Sequence, residues 1–220
     1  MSVVPLLLFI LVSSLPAFLV FLWFRLGRRR IPGSFPLWLL VGAGSLFLAL
    51  FLQVAVLELG ILPATGSRTG FFLETFVRIA FTEELSRFLV LAPLCLFFRR
   101  KGRPEMPGAE AGRAAGLVAG LGFGILESVN YGAGSPLGLF ARLFGSIPLH
   151  AACGSRVGEV AFTLGEKPGS AVLRFLSAVA VHGTYNILAG TPGNLALIGS
   201  ILIPLLALAT SVQAIAAGRK

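Results

Sequence analysis

Long apolar stretches separated by short polar connections dominate the chain, and a bilayer is the environment in which such stretches fold. A spanning helix needs about 20 apolar residues. Seven stretches meet that length: residues 3–24, 36–60, 71–98, 113–131, 137–158, 170–190 and 195–217. Only 12% of the residues are charged, against about 25% in soluble domains. The sequence therefore predicts an all-α polytopic transmembrane helix bundle of about seven spans, and a single integral membrane domain over residues 1–220.

Basic residues lie at the ends of the apolar stretches and predict the orientation of the bundle. With the predicted spans, one side of the membrane receives nearly all of them, and the loops of the other side contain only Arg68. The positive-inside rule then places the N-terminus outside and the C-terminus in the cytoplasm of a multi-pass protein, as in a bacterial cytoplasmic membrane. Because this placement explains the net charge of +9, a nucleic-acid partner is not expected.

The third stretch, residues 71–98, contains two adjacent acids, Glu83 and Glu84. Acids at membrane depth are costly, face the bundle interior or a watery cavity, and usually serve function. Arg87 follows three and four residues later, so it is spaced to neutralise either carboxylate on its own helix. One arginine neutralises one carboxylate, which leaves the other as a candidate base or ligand.

The fourth stretch combines a row of small residues with another acid. Glycines recur every fourth residue, and this spacing makes a flat surface on which a second helix packs closely. The neighbouring row carries Phe123 and Glu127, so Glu127 is expected to point toward the bundle interior beside the glycine contact. The glycine row consists of Gly112, Gly116, Gly120 and Gly124.

Both histidines of the protein fall inside predicted spans. His150 follows Pro148, which frees a backbone carbonyl one turn earlier and predicts a bend. His182 and Asn186 are four residues apart and share a helix face. Counting the helical rise from the predicted outer ends places these residues and the acids in the middle to outer half of the membrane.

Neutral imidazoles and carboxylates are zinc ligands, and a catalytic zinc keeps three protein ligands and one water. A carboxylate beside the metal accepts the proton of the attacking water. The same groups also work without metal, with a desolvated glutamate activating water and polar side chains stabilising the oxyanion. The spacing is not HExxH, so the residues leave both mechanisms of peptide hydrolysis open.

Four short motifs carry a resemblance to a known family: EELSR (83–87), GFGILES (122–128), LHAACG (149–154) and HGTYN (182–186). Their order and spacing resemble those of PrsW-type intramembrane proteases, in the clan that includes the CAAX prenyl endopeptidases, over roughly residues 71–190. The FxxxE pattern of Phe123 and Glu127 favours the PrsW branch, since the CAAX-type branch usually has histidine at the second position.

The resemblance implies an intramembrane endopeptidase, commonly a metalloprotease, that cleaves a membrane-anchored protein or peptide. Zinc is the expected metal. By position, Glu83 and Glu84 are expected to activate water, with the choice between them open. Glu127, His150 and His182 are expected to bind the metal, and Asn186 to orient the substrate or donate to the oxyanion. Two departures occur: Arg87 stands where lysine is usual, and Ser128 where asparagine often follows the acid.

Two other classes of function remain as alternatives. A non-catalytic scaffold related to the Aph-type subunit of gamma-secretase keeps intramembrane histidines, but the retained Glu83, Glu84 and Glu127 argue against it. A proton-coupled transporter also uses buried glutamates and histidines. The chain shows neither internal repeats nor paired broken helices, which argues against that alternative.

Overall fold

The computed structural model describes residues 3–27, 31, 33–61, 67–100, 108–132, 136–166 and 168–218. Every regular element among them is helical, as predicted. The α-helices are α1 (Val3–Ser13), α2 (Leu15–Leu26), α3 (Phe35–Glu58), α4 (Arg68–Leu73), α5 (Thr82–Arg100), α6 (Gly108–Gly132), α7 (Pro136–Ala141), α8 (Ile147–Thr163), α9 (Pro168–Gly190) and α10 (Asn194–Ala217).

Two π-helical segments join neighbouring helices without a break. Glu74–Phe81 connects α4 to α5, and Arg142–Ser146 connects α7 to α8, directly before Pro148. A π-helical segment inserts residues into the regular repeat and is frequent at functional sites. The second segment coincides with the position where Pro148 was expected to disturb the helix.

Six helices of the described residues are long and apolar enough to cross a membrane: Leu6–Leu26, Phe35–Glu58, Gly108–Asn130, Leu137–Thr163, Pro168–Gly190 and Asn194–Ala217. They correspond to six of the seven predicted spans. The remaining one, residues 71–98, lies in the continuous helix formed by α4, the first π-helical segment and α5. Charged side chains interrupt its apolar character, so the count of seven spans stays a prediction, as does the orientation.

Helices α6 and α8 form the centre of the bundle and pack on each other through glycine. A Cβ added to Gly116 would lie 2.0 Å from the carbonyl oxygen of Gly154, and one added to Gly158 would lie 2.1 Å from that of Gly112. Only glycine permits this backbone contact, so the predicted function of the glycine row is confirmed. Helix α6 begins at Gly108, five residues before the start of the span predicted over residues 113–131.

The outer helices present apolar side chains to their surroundings. Large exposed examples on α3 include Leu40, Phe47 and Phe51, and Leu206 on α10 is 64% exposed. In a membrane, helices satisfy their backbone hydrogen bonds internally and expose apolar side chains to lipid. Five buried polar side chains gather in the interior between α3, α5, α6, α8 and α9, where they belong to the site described next: Glu83, Glu84, Arg87, His150 and His182.

Candidate metal and catalytic centre

Glu83 and Glu84 occupy the first turn of α5 and turn to different partners. Glu84 is fully buried and forms an ion pair with Arg87 on the same helix. Glu83 accepts a hydrogen bond from Gln53 Nε2 of α3 at 3.0 Å through its Oε1. The sequence left open which acid Arg87 neutralises, and in the structure it is Glu84. Glu83 is the acid that remains for other chemistry.

Glu84 also fixes the orientation of the His182 imidazole. Its Oε1 lies 2.7 Å from His182 Nδ1, and because an ionised carboxylate only accepts, Nδ1 carries the hydrogen. In the neutral ring, Nε2 then has a free lone pair. That atom lies 3.6 Å from Glu83 Oε2, which is buried and has no hydrogen-bond partner among the described residues.

The His150 imidazole forms hydrogen bonds through both ring nitrogens. Arg87 Nη2 donates to Nδ1 at 3.2 Å, so the ring hydrogen lies on Nε2, which donates to Glu127 Oε2 at 2.9 Å. The guanidinium of Arg87 also stacks 4.5 Å from the centre of the Phe123 ring. Arg87 therefore connects the acid that orients His182 with the second imidazole.

Glu127 is held by three donors that converge on one of its two oxygens. Besides His150, Arg142 Nη1 and Ser146 Oγ each lie 2.8 Å from Oε2. The other oxygen, Oε1, makes no hydrogen bond to any described residue. Glu127 reaches His150 because side chains tilt toward the N-terminus of their helix, and α6 and α8 run in opposite directions.

A polar cavity of about 580 Å³ opens in front of these groups. Glu83, Glu127 and His150 line it, whereas Glu84 and His182 are not among the lining residues. Both π-helical segments contribute to the wall. The complete lining is Gln53, Arg78, Ile79, Glu83, Glu127, Gly138, Ala141, Arg142, Ser146, His150, Tyr185, Asn186 and Ala189.

One donor atom each from Glu83, His150 and His182 lies within 4.8 Å of the others, a spacing suited to a metal ion. Two of the predicted ligands, His150 and His182, are in this group, together with Glu83 in place of Glu127. Asn186 lines the cavity one turn from His182. All six residues singled out from the sequence therefore lie in or directly against one site.

Three contacts of the site were not anticipated. Gln53 binds Glu83 from the second predicted span, and Arg142 and Ser146 hold Glu127 from the fifth. The available signal was weak: Gln53 and Arg142 are polar residues inside apolar stretches, which indicates a buried partner without identifying it.

Comparison with known families agrees with the geometry. The model of the PrsW family intramembrane metalloproteases matches residues 35–212. The chain belongs to this family. The matched segment extends beyond the roughly 71–190 core predicted from the motifs and includes α3, which contributes Gln53 to the PrsW-family site. Searches of curated proteins and of solved structures gave no match.

Membership of the PrsW family makes the chain an intramembrane peptidase. The apolar helices and the family together support a multi-pass membrane protein that acts on a peptide bond. They also support the assignment to the metallopeptidases, to which the buried histidine and glutamate cluster is suited.

Proposed function

We propose that the protein is an intramembrane endopeptidase that hydrolyses a peptide bond in a membrane-anchored protein or peptide, with one zinc ion held by Glu83, His150 and His182. The observation that carries the proposal is the convergence of these donors within 4.8 Å at a polar cavity between apolar helices. Water and an extended peptide segment require such a cavity, since the surrounding lipid excludes both.

The donor set suits zinc on chemical grounds. Two imidazoles and one carboxylate are a common ligand set of catalytic zinc, which keeps its fourth position open. To bind zinc, His150 would give up one of its two hydrogen bonds, either the one from Arg87 to Nδ1 or the one from Nε2 to Glu127. Glu83 Oε2 is buried without a hydrogen-bond partner among the described residues and faces His182 Nε2. A cation that binds between these two acceptor atoms would interact favourably with both. The Glu84 contact to His182 Nδ1 is typical of the carboxylates that orient histidine ligands. When bound, zinc would supply Lewis-acid polarisation of the reacting oxygen atoms.

Glu127 is the proposed general base. Its Oε2 is fixed by Arg142 and Ser146, while its Oε1 makes no hydrogen bond to any described residue. A positioned carboxylate with one available oxygen can take a proton from the attacking water and return it to the leaving amine. Asn186, on the same cavity wall, is the proposed donor to the substrate carbonyl oxygen.

This assignment exchanges two functions predicted from the sequence. Glu83 becomes a metal ligand instead of a water-activating acid, and Glu127 becomes the base instead of a ligand. Glu84 supports His182 and does not act on water, because Arg87 and His182 already engage both of its oxygens. Two available oxygens support the exchange. Glu83 Oε2 faces His182 Nε2, and Oε1 of Glu127, which lines the cavity, makes no hydrogen bond to any described residue.

We further place the protein in a bacterial cytoplasmic membrane, as a single integral domain whose N-terminus is outside. The distribution of basic residues in the sequence supports this orientation. The cavity is lined by Gly138 near the start of α7 and Ala189 near the end of α9, which the same rule assigns to the outer half of the membrane.

The test is a cleavage assay with purified protein and a labelled single-span substrate in liposomes. We expect cleavage that a membrane-permeant zinc chelator abolishes and added zinc restores. Glu58→Gln, which removes an exposed carboxylate at the end of α3, serves as the control and should cleave like the wild type. Cleavage that survives chelation would support the metal-free mechanism, and no cleavage of any single-span substrate would favour the scaffold alternative.

A further inference from the structure

A second cluster of charged residues lies toward the other end of the bundle, away from the candidate active site. It surrounds a small cavity of about 70 Å³ between α6, α8, α9 and α10. The lining residues are Arg113, Ser155, Arg156, Glu159, Arg174, Thr210, Ser211 and Ala214. Three guanidinium groups and one carboxylate give this cavity a net charge of +2.

The single carboxylate of the cavity is already neutralised. Arg113 binds Glu159 through two parallel hydrogen bonds, Nε to Oε2 at 3.0 Å and Nη2 to Oε1 at 2.7 Å. Arg174 Nε lies 3.4 Å from Glu159 Oε2, and its side chain is 50% exposed. A two-bond arginine–carboxylate pair is strong and directional, so Arg174 is the weaker partner and keeps donors for another group.

Arg156 carries a charge that no acid balances. It donates to the Ala152 carbonyl at 2.9 Å and to the hydroxyls of Ser211 and Thr210, both at 3.2 Å. All of these acceptors are neutral, and within the described residues Arg156 forms no ion pair. A partly buried charge held only by neutral groups is unfavourable unless a counter-ion is available. The cavity therefore favours an anion.

We infer that this cavity binds the phosphate group of an anionic phospholipid. Basic cavities between helices on the cytoplasmic side of membrane proteins bind anionic lipid headgroups, and the positive-inside rule assigns this end to that side. Exposed apolar side chains flank lining residues along the helices: Leu173, 70% exposed, directly precedes Arg174, and Leu206, 64% exposed, lies one turn before Thr210 on α10. They provide a surface for acyl chains. This surface argues for a lipid over a free phosphate ion. The guanidinium groups of Arg156 and Arg174 are the expected donors to the phosphate oxygens.

The inference is tested by titrating lipid into the purified protein in neutral detergent and following its melting temperature. We expect phosphatidylglycerol to raise the melting temperature, and phosphatidylcholine or inorganic phosphate to leave it unchanged. Arg156→Gln and Arg174→Gln, which remove one charge each, should weaken the apparent affinity for phosphatidylglycerol about ten-fold, the loss typical of one charge-assisted hydrogen bond.

Arg25→Gln is the matched control, since Arg25 is an exposed arginine at the end of α2, outside the cavity. It should bind phosphatidylglycerol like the wild type. Wild-type affinity in both cavity variants, or an equal loss in Arg25→Gln, would overturn the inference. Equal stabilisation by phosphatidylcholine or by inorganic phosphate would also overturn the inference that the ligand is an anionic lipid. If Arg156→Gln does not fold, the half-exposed Arg174 decides the question through its own variant.

Discussion

His182 Nε2 and Glu83 Oε2 face each other across 3.6 Å. Glu84 accepts the hydrogen bond from His182 Nδ1, so the hydrogen of the neutral ring lies on Nδ1. Nε2 therefore presents a lone pair to the carboxylate oxygen of Glu83. Two acceptors in contact repel each other unless a positive centre lies between them. This relationship is the physical basis for assigning Glu83 to the metal and not to the attacking water.

Glu84→Gln should weaken metal binding without removing a ligand. The amide keeps the shape of the side chain but replaces the charged acceptor that fixes the His182 ring. Loss of such a partner typically lowers metal affinity by about 10–100-fold. Metal titration of the purified variant measures this directly, and an unchanged affinity would contradict the orienting function of Glu84.

Gly120→Ala should disrupt the contact between α6 and α8. The added Cβ would lie 1.9 Å from the carbonyl oxygen of His150, so the helices must separate, and overpacking of this kind costs about 1–3 kcal/mol or more. The matched control is Gly44→Ala on α3, where nothing lies within 4 Å of the added atom. Melting temperatures in detergent should fall for the first variant and not for the second; equal melting temperatures would contradict this packing.

Arg142→Gln should reduce cleavage while leaving metal content unchanged. Arg142 holds Glu127 Oε2 at 2.8 Å but lies outside the group of metal donors. We expect activity to fall at least about ten-fold, the loss expected when a hydrogen bond to a charged group is removed. Arg142→Lys, which keeps the charge but not the planar geometry, should restore part of the activity. A loss of bound metal in Arg142→Gln would instead place Glu127 among the ligands.

Much of this site follows from the sequence because residue spacing along a helix fixes which side chains share a face. The recurring glycines predicted the close contact of α6 that brings Glu127 to His150, and the four motifs identified the acids and imidazoles that meet. The sequence did not determine which carboxylate binds the metal and which one activates water. That choice depends on the rotation of each helix about its axis, which the π-helical segments alter.

The contacts from other helices show the same limit. Nothing in the spacing of Gln53 indicates that it reaches Glu83, because 30 residues separate them and only the packing of α3 against α5 joins them. Arg142 likewise binds Glu127 from another segment, the π-helical segment before α8, whereas Glu127 lies on α6. A polar residue in an apolar stretch predicts a buried partner, but its identity requires the three-dimensional arrangement.

The most direct test compares the metal content of Glu83→Gln and Glu127→Gln, purified beside the wild type and the Glu58→Gln control. The proposed assignment predicts that Glu83→Gln loses most of its zinc, and that Glu127→Gln keeps about one zinc per chain but does not cleave its substrate. Zinc retained in Glu83→Gln and lost in Glu127→Gln would contradict it and restore the ligand set predicted from the sequence.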